Sequence, residues 1–427
     1  MISYLEYSIL VFLAACSAIG PVMVLLVAFV LDVPRYLLMI FGLAVAVFRA
    51  RIAKADDGAC RRHEVSIIMS LRNGEDAFER NVRNIQEQSL APVEIIVIDD
   101  GSTDDTYALA KKALREKKIT HLIHHSASCG KAASINQAAR FATGELLMVM
   151  DDDTLLFPDA IEKLASAFND PEVAIASGSL PIRNKGDSIW TALQAVEYMI
   201  SIEIGRTVLD AFNAVNCCSG AFNMIRRDLF LAIGGHPVTS AEDLEATMCV
   251  HDLGYRASFV PNAVAFVDAP VSLTALFQQR ERWDFNLFKT FMLQRKAYKF
   301  YNPGERLSDA LMKIDYMLSD FIPTIAFPVY LAWLIYVLGP TAVPFFVGTY
   351  IALLLLYSTL YGLCVLISHQ DFDLIDLCII PLMPFYMGVL LKLFRFYTYS
   401  EEILFSVSFH DTAIPQRVRN ALFYRNP

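Results

Sequence analysis

Three consecutive acids, Asp151-Asp152-Asp153, follow the apolar run ELLMVM at 145–150. Carboxylates leaving a buried strand cannot be buried themselves without a counterion. At the first and third positions of such a turn, Asp151 and Asp153 can converge on a hard divalent cation, Mg²⁺ or Mn²⁺, whose remaining shell comes from phosphate and water. The competing reading is a solvated acidic loop that caps the next helix. Upstream stands Asp99-Asp100-Gly101-Ser102. Gly101 lets the turn close sharply. Asp100 can then accept hydrogen bonds from a base or ribose, or the run simply turns the chain and caps a helix expected from 104. Lys131 follows Gly130 and opens another expected helix. A lysine at a helix N-terminus suits an anion, and a solvated lysine fits equally well. Glu242-Asp243 is placed to supply a general base, Asp243, for an attacking hydroxyl. Ser240, three residues before Asp243, instead makes a capping box. Finally Gln279, Arg282 and Trp283 lie on neighbouring helical positions. Arg282 can fork onto phosphate oxygens and Trp283 offers a flat face to a ring. The same pair next to an apolar segment also reads as an interfacial anchor.

The elements that must hold these residues alternate. Residues 65–71 (VSIIMSL) and 93–98 (VEIIVI) are short apolar, β-branched runs of the kind buried on both faces of a parallel sheet. Helical spacing over 77–90 and 104–115, a strand at 119–124, a helix at 131–142 and a strand at 145–150 complete the alternation. The pattern predicts a mostly parallel sheet with helices on both faces. Ligands in such sheets bind beyond the carboxyl ends of the strands, where Asp99, Asp100 and Asp151 all stand. Further on, 187–210 reads as a helix, 221–225 as a strand, 226–233 as a short helix ending at Gly234-Gly235, and another helix begins near Glu242. Residues 271–300 read as an amphipathic helix along a membrane surface.

Composition supports a membrane. The chain has 427 residues, of which 55% are hydrophobic and 19% charged, against about a quarter charged in an ordinary soluble domain. Mean hydropathy is +0.41. The apolar excess sits at 7–48 and at about 316–394. Residues 7–31 are long enough to span, since a bilayer needs roughly 20 residues, and 36–48 form either a second span or an interfacial helix. The runs 316–338, 341–367 and 374–394 are each of spanning length. Arg49, Arg51, Lys54, Arg61 and Arg62 place the middle on the cytosolic side. Three carboxy-terminal spans would export Lys392, Arg395 and the tail with Arg417, Arg419 and Arg425, so one of them is expected to be interfacial or re-entrant. Eight cysteines without Cys-x-x-Cys spacing fit a reducing compartment. A net charge of −9 argues against a nucleic-acid-binding face.

The order Asp100, Asp151-x-Asp153, Asp243 and Gln279-x-x-Arg282-Trp283 resembles the membrane-embedded family 2 glycosyltransferases, a group that includes cellulose, hyaluronan, chitin-oligosaccharide and poly-N-acetylglucosamine synthases. The resemblance covers about residues 60–300. It implies a cytosolic α/β domain of GT-A type at 60–270. That domain would sit between an amino-terminal transmembrane region at 1–50 and a carboxy-terminal one at 316–395, with interfacial helices at 271–315 and a tail at 396–427. It further implies that Asp100, Lys131 and Asp151 bind nucleotide and that Asp151 and Asp153 hold Mg²⁺ or Mn²⁺, with Asp243 as the base. Gln279, Arg282 and Trp283 would grip diphosphate and acceptor, as would the loop at Cys218, Ser219 and Gly220. The threonine that ordinarily precedes the Glu-Asp pair is Ala241 here. The stretch LQAVEYMISIEIGR (193–206) resembles the corresponding helix of poly-N-acetylglucosamine-type synthases.

With one candidate base and no second carboxylate poised as nucleophile, direct displacement with inversion is the simpler chemistry. The leading expectation is a processive enzyme of the inner membrane that extends a glycan from a UDP-sugar and passes it through its own spans. An accessory secretion subunit or a second copy would be its partner. The alternative is a non-processive relative that glycosylates a ceramide or polyprenyl phosphate. A third reading, an inactive membrane subunit that binds glycan, sits poorly with the retention of every acid.

Overall fold

The computed structural model describes residues 2–18, 33–53, 62–237, 239, 241–296, 306–367 and 373–405. Several expectations fall outside them: residues 19–31 of the first span, Lys54, Arg61, Ser240, the end of the 271–300 helix and the three tail arginines. The described chain forms two compact units. One draws on Phe48–Asn184 and Leu209–Ala269, the other on residues up to Val47, on Lys185–Val208 and from Pro270 onward.

The first unit is an eight-stranded sheet with helices. Its strands are β1 (Val65–Leu71), β2 (Glu94–Asp99), β3 (His121–His124), β4 (Leu146–Met150), β5 (Leu155–Leu156), β6 (Val173–Ser179), β7 (Phe222–Arg226) and β8 (Arg256–Phe266). They lie in the order β3-β2-β1-β4-β7-β6-β8-β5. Ile67, Ile68, Ile96, Val97 and Met148 are fully buried, as strands covered on both faces must be. Helices Glu75–Gln86, Thr106–Arg115 and Lys131–Ala139 make the crossovers between the first four strands. The chain builds outward from β1 to β3 and then returns to set β4 on the other side of β1. That reversal opens a crevice at the strands' carboxyl ends.

The register decides what stands there. Leu71 pairs with Asp99 and Met69 with Met150, so Asp100 and Asp151 leave the sheet at the same edge. The expected mostly parallel sheet is in fact mixed: β7 runs antiparallel to both β4 and β6, and β5 runs antiparallel to β8. Because Met150 pairs with Phe222, the start of β7 lies at the end of β4 and brings the 217–221 loop to the acidic edge.

The second unit is helical. Residues 33–53 form one 21-residue helix in place of the shorter run expected at 36–48. It carries Tyr36, Met39 and Leu43 into a core with Val196, Ile200, Tyr357, Leu360 and Met383. Helix Ile2–Ala18 packs on Ala342–Ile367, with Phe12 against Phe345 at 5.4 Å between ring centres. Two helical stretches, Leu307–Leu366 and Leu374–Phe405, are long and apolar enough to cross a membrane. The first is interrupted at Gly339, whose φ of 51° no ordinary helix holds. The amino-terminal apolar helices, Tyr4–Ser17 and Val33–Phe48, are shorter. No disulfide joins the described cysteines.

Candidate active site

The acidic turn does not cap a helix. Asp151 to Asp153 lead into the two-residue strand β5, and the next helix begins only at Ala160, behind Asp159. Asp151 instead meets Lys131, whose Nζ lies 2.5 Å from Asp151 Oδ1 and 3.5 Å from Glu242 Oε1. The same ammonium donates to the Gly220 carbonyl at 3.5 Å. Gly220 N–H donates to Asp243 Oδ2 at 2.8 Å, and Leu244 N–H donates to Asp243 Oδ1 at 2.7 Å. Lys131 thus ties together the end of β4, the loop before β7 and the start of helix Glu242–Asp252. Burial works against its charge, but Asp151 and Glu242 outweigh that and hold its proton well above the usual lysine range. Burial raises Glu242 above the ordinary carboxylate range despite the adjoining ammonium, and Asp243 adds to the rise.

Asp153 faces different company. Burial, followed by repulsion from Asp151, Asp152 and Asp268, pushes its carboxyl up to about 6. Thr154 Oγ1 donates to Asp153 Oδ1 at only 3.5 Å. A crowd of oxygen donors that disfavours its own charge is the donor set a hard divalent cation relieves, so these residues fit Mg²⁺ or Mn²⁺. A second group, Asp100, His125 and Cys129, brings ligand atoms within 4.8 Å of one another. It is already knit by hydrogen bonds and suits a cation less well.

That second group shapes the turn after β2. Asp100 accepts from His125 Nδ1 at 2.8 Å and Cys129 N–H at 2.8 Å on one oxygen, and from Ser128 Oγ at 2.6 Å and Gly130 N–H at 2.9 Å on the other. Burial alone would raise its pKa, but these four donors hold it below the usual range. All four acceptor positions are filled, and Asp100 is 3% exposed. It therefore fixes the 128–130 loop, and a nucleotide would touch it only by replacing one of those donors. Gly101 is required here twice over. Its φ is +73°, and a Cβ would stand 2.7 Å from Ser128 N. The expected cap for a helix at 104 takes another form: that helix begins at Thr106, and Asp99 Oδ1 accepts from Ser102 N–H.

Of the acceptor-loop residues, Ser219 is half-buried and Gly220 binds Asp243 through its amide. Cys218 is fully buried, and its N–H donates to Thr247 Oγ1 at 2.9 Å. It anchors the loop from behind and does not line its surface. Gln279, Arg282 and Trp283 belong to the helical unit, on helix Leu273–Phe288. Arg282 and Trp283 are exposed, and Gln279 Oε1 is buried with no hydrogen-bond partner among the described residues.

Sequence reasoning missed His125 and His236. His125 is half of a His-His pair ending β3, a strand-end position that could have drawn notice. His236 follows the Gly234-Gly235 turn. Its N–H donates to Asn136 Oδ1 and its carbonyl accepts from Asn136 Nδ2, both at 2.7 Å. Its Nδ1 lies 3.1 Å from the Glu242 carbonyl, the arrangement of an Nδ1–H donor. Burial lowers its pKa to about 4. The unfolded chain takes up this proton near pH 6.5, whereas the folded chain resists until about pH 4. Stability is thus intact above pH 6.5 and is lost as pH falls through that window. We expect His236→Phe to flatten the fall in melting temperature between pH 6.5 and 4; an unchanged slope refutes the assignment.

Known proteins resemble this chain in sequence and in fold. The sequence model described as glycosyl transferase family 2 matches residues 66–234. An N-acetylglucosaminyltransferase of Azorhizobium caulinodans is 28% identical over 251 residues, covering 55% of this chain and 63% of that protein. A poly-β-1,6-N-acetyl-D-glucosamine synthase of Staphylococcus aureus is 29% identical over 221 residues, covering 51% of this chain and 53% of that protein. The alignments thus span little more than half the length of these relatives. Among solved structures, the mannosyltransferase PcManGT of Pyrobaculum calidifontis, in complex with GDP-mannose and Mn²⁺, superposes with a TM-score of 0.57 at 20% identity. It covers 88% of this chain and 99% of its own, a likeness of fold. Residues 66–234 thus resemble the family 2 glycosyltransferases in sequence, and the mixed sheet resembles a GT-A-type fold.

Proposed function

We propose that this chain transfers N-acetylglucosamine from its UDP derivative to the growing end of a β-linked glycan at a membrane, with inversion at the anomeric carbon. The observation that carries the reading is the convergence on Lys131 of Asp151, Glu242 and the Gly220–Asp243 pair. The sugar is suggested by the printed activities of the relatives.

In this reading the acceptor hydroxyl attacks the anomeric carbon while its proton passes to Asp243. The bond from that carbon to the diphosphate breaks, and the electron pair leaves with UDP. Lys131, charged across the physiological range, offsets charge beside the leaving group. A divalent cation held by Asp151 and Asp153 would neutralise the diphosphate as it departs. Asp100 and the loop it fixes would seat the nucleotide. Gln279, Arg282 and Trp283 would hold the diphosphate and the acceptor's last sugar. The two apolar helical stretches fit a product made at the bilayer; in this reading the chain sits in the inner membrane, with a second copy or an accessory subunit as partner.

The test is incubation of membranes carrying the protein with a panel of radiolabelled nucleotide sugars, followed by sizing of the product. Polymer or a ladder from UDP-N-acetylglucosamine is the expected result. A single-sugar lipid would point to a lipid acceptor, and no incorporation from any donor would remove the reading.

A further inference from the structure

Arg280 lies inside the Gln279–Trp283 run but is not one of the three residues assigned above. Its NH1 and NH2 bond the two oxygens of Glu197 at 2.7 and 3.0 Å. Glu197 is 5% exposed and accepts a third bond from Tyr386 Oη at 2.8 Å. With its fork committed, the guanidinium lies 4.5 Å from the centre of the Trp283 ring and 5.9 Å from that of Tyr198. Tyr198 also flanks Trp283, at 6.5 Å between centres. Three helical segments, Ile189–Tyr198, Leu273–Phe288 and Tyr386–Leu390, therefore meet at one ion pair. A bidentate pair fixes the plane of an arginine as well as its charge. A guanidinium held over an indole occupies one ring face and orients the ring.

We infer that Glu197, Arg280 and Tyr386 form a positioning clamp that sets the pose of Trp283 and thereby the affinity for the acceptor sugar. The inference rests on the reading of Trp283 as an acceptor platform. The clamp covers one face of the indole, and Trp283 is 39% exposed, leaving ring surface on which a sugar can stack. Glu197 falls within the 193–206 helix, whose sequence is otherwise unused by the proposed chemistry.

The test uses the full-length protein in membranes, with a chito-oligosaccharide primer and UDP-N-acetylglucosamine varied separately. Arg280→Lys keeps the charge but loses the planar fork, and Tyr386→Phe loses one bond to Glu197. We expect Arg280→Lys to raise the primer KM about tenfold, the scale of one lost cation–π contact of about 1.4 kcal/mol. We expect Tyr386→Phe to raise it by less, with the donor KM and the kcat at saturating primer held within about twofold in both. Trp283→Leu separates the two claims. If it leaves the primer KM unchanged, the platform reading fails. If it raises the primer KM while Arg280→Lys does not, the clamp alone fails. Equal losses in donor and primer parameters for Arg280→Lys would also overturn the clamp, because a general packing defect would produce them.

Discussion

Asp243→Asn should lower sugar transfer by at least about 10³-fold, within the 10²–10⁴-fold range of a lost general base. Asparagine keeps the size of the side chain and one oxygen to accept the Gly220 amide, so the loop before β7 keeps its anchor. Donor binding should therefore persist, and titration with a fluorescent UDP-sugar would separate lost chemistry from lost binding. Turnover that survives undiminished would remove Asp243 from the reaction and revive the idea of a glycan-binding subunit. Glu242→Gln is the informative companion. Glu242 faces Lys131, and its loss should weaken the array without removing the proton acceptor, so the fall should be smaller.

The second large effect concerns the cation. Chelation with EDTA should reduce transfer to background, and Mg²⁺ or Mn²⁺ should restore it. Charge neutralisation of a leaving diphosphate contributes several kcal/mol, or about 10²–10³-fold in rate. Asp153→Asn should show the same deficit and should need far more metal to reach its reduced plateau. The crowding that pushes Asp153 up to about 6 is relieved in that variant, so its loss of activity would accompany a fold at least as stable. Transfer that continues after exhaustive chelation would end the roles given to Asp151 and Asp153. Lys131 adds a further expectation. It already neutralises Asp151, so Lys131→Met should bind Mn²⁺ more tightly in the absence of nucleotide.

The part of the fold that could be read from sequence is the part with strong local signals. Strand β1 matches its expected limits, and the first three crossover helices fall within a few residues of theirs, because β-branched runs and helical periodicity leave little choice there. Strands β6 and β8 were not read. β6 is Val-Ala-Ile-Ala-Ser-Gly-Ser, whose small residues resemble a loop, yet all seven are buried. β8 contains Pro261, which argues against a central strand, and the pairing jumps from Gly178–Val260 to Ser179–Val264 to accommodate it. The antiparallel run of β7 follows from tertiary pairing alone. The acids of the candidate site stand out in the sequence by type and spacing. The bridge through Lys131, the saturation of Asp100 and the burial of Cys218 do not, because each depends on which side chains meet across distant turns.

The path of the backbone between the two units has a practical result. Residues 185–208 leave the sheet unit midway and return to it at Leu209. Trimming the apolar ends to obtain a water-soluble enzyme would therefore keep this excursion while deleting what it packs on. Leu193, Val196 and Ile200 would lose Leu353, Tyr357 and Met383 and face solvent. A fragment cut in that way should precipitate, and detergent or a lipid nanodisc around the intact polypeptide is the sounder starting material.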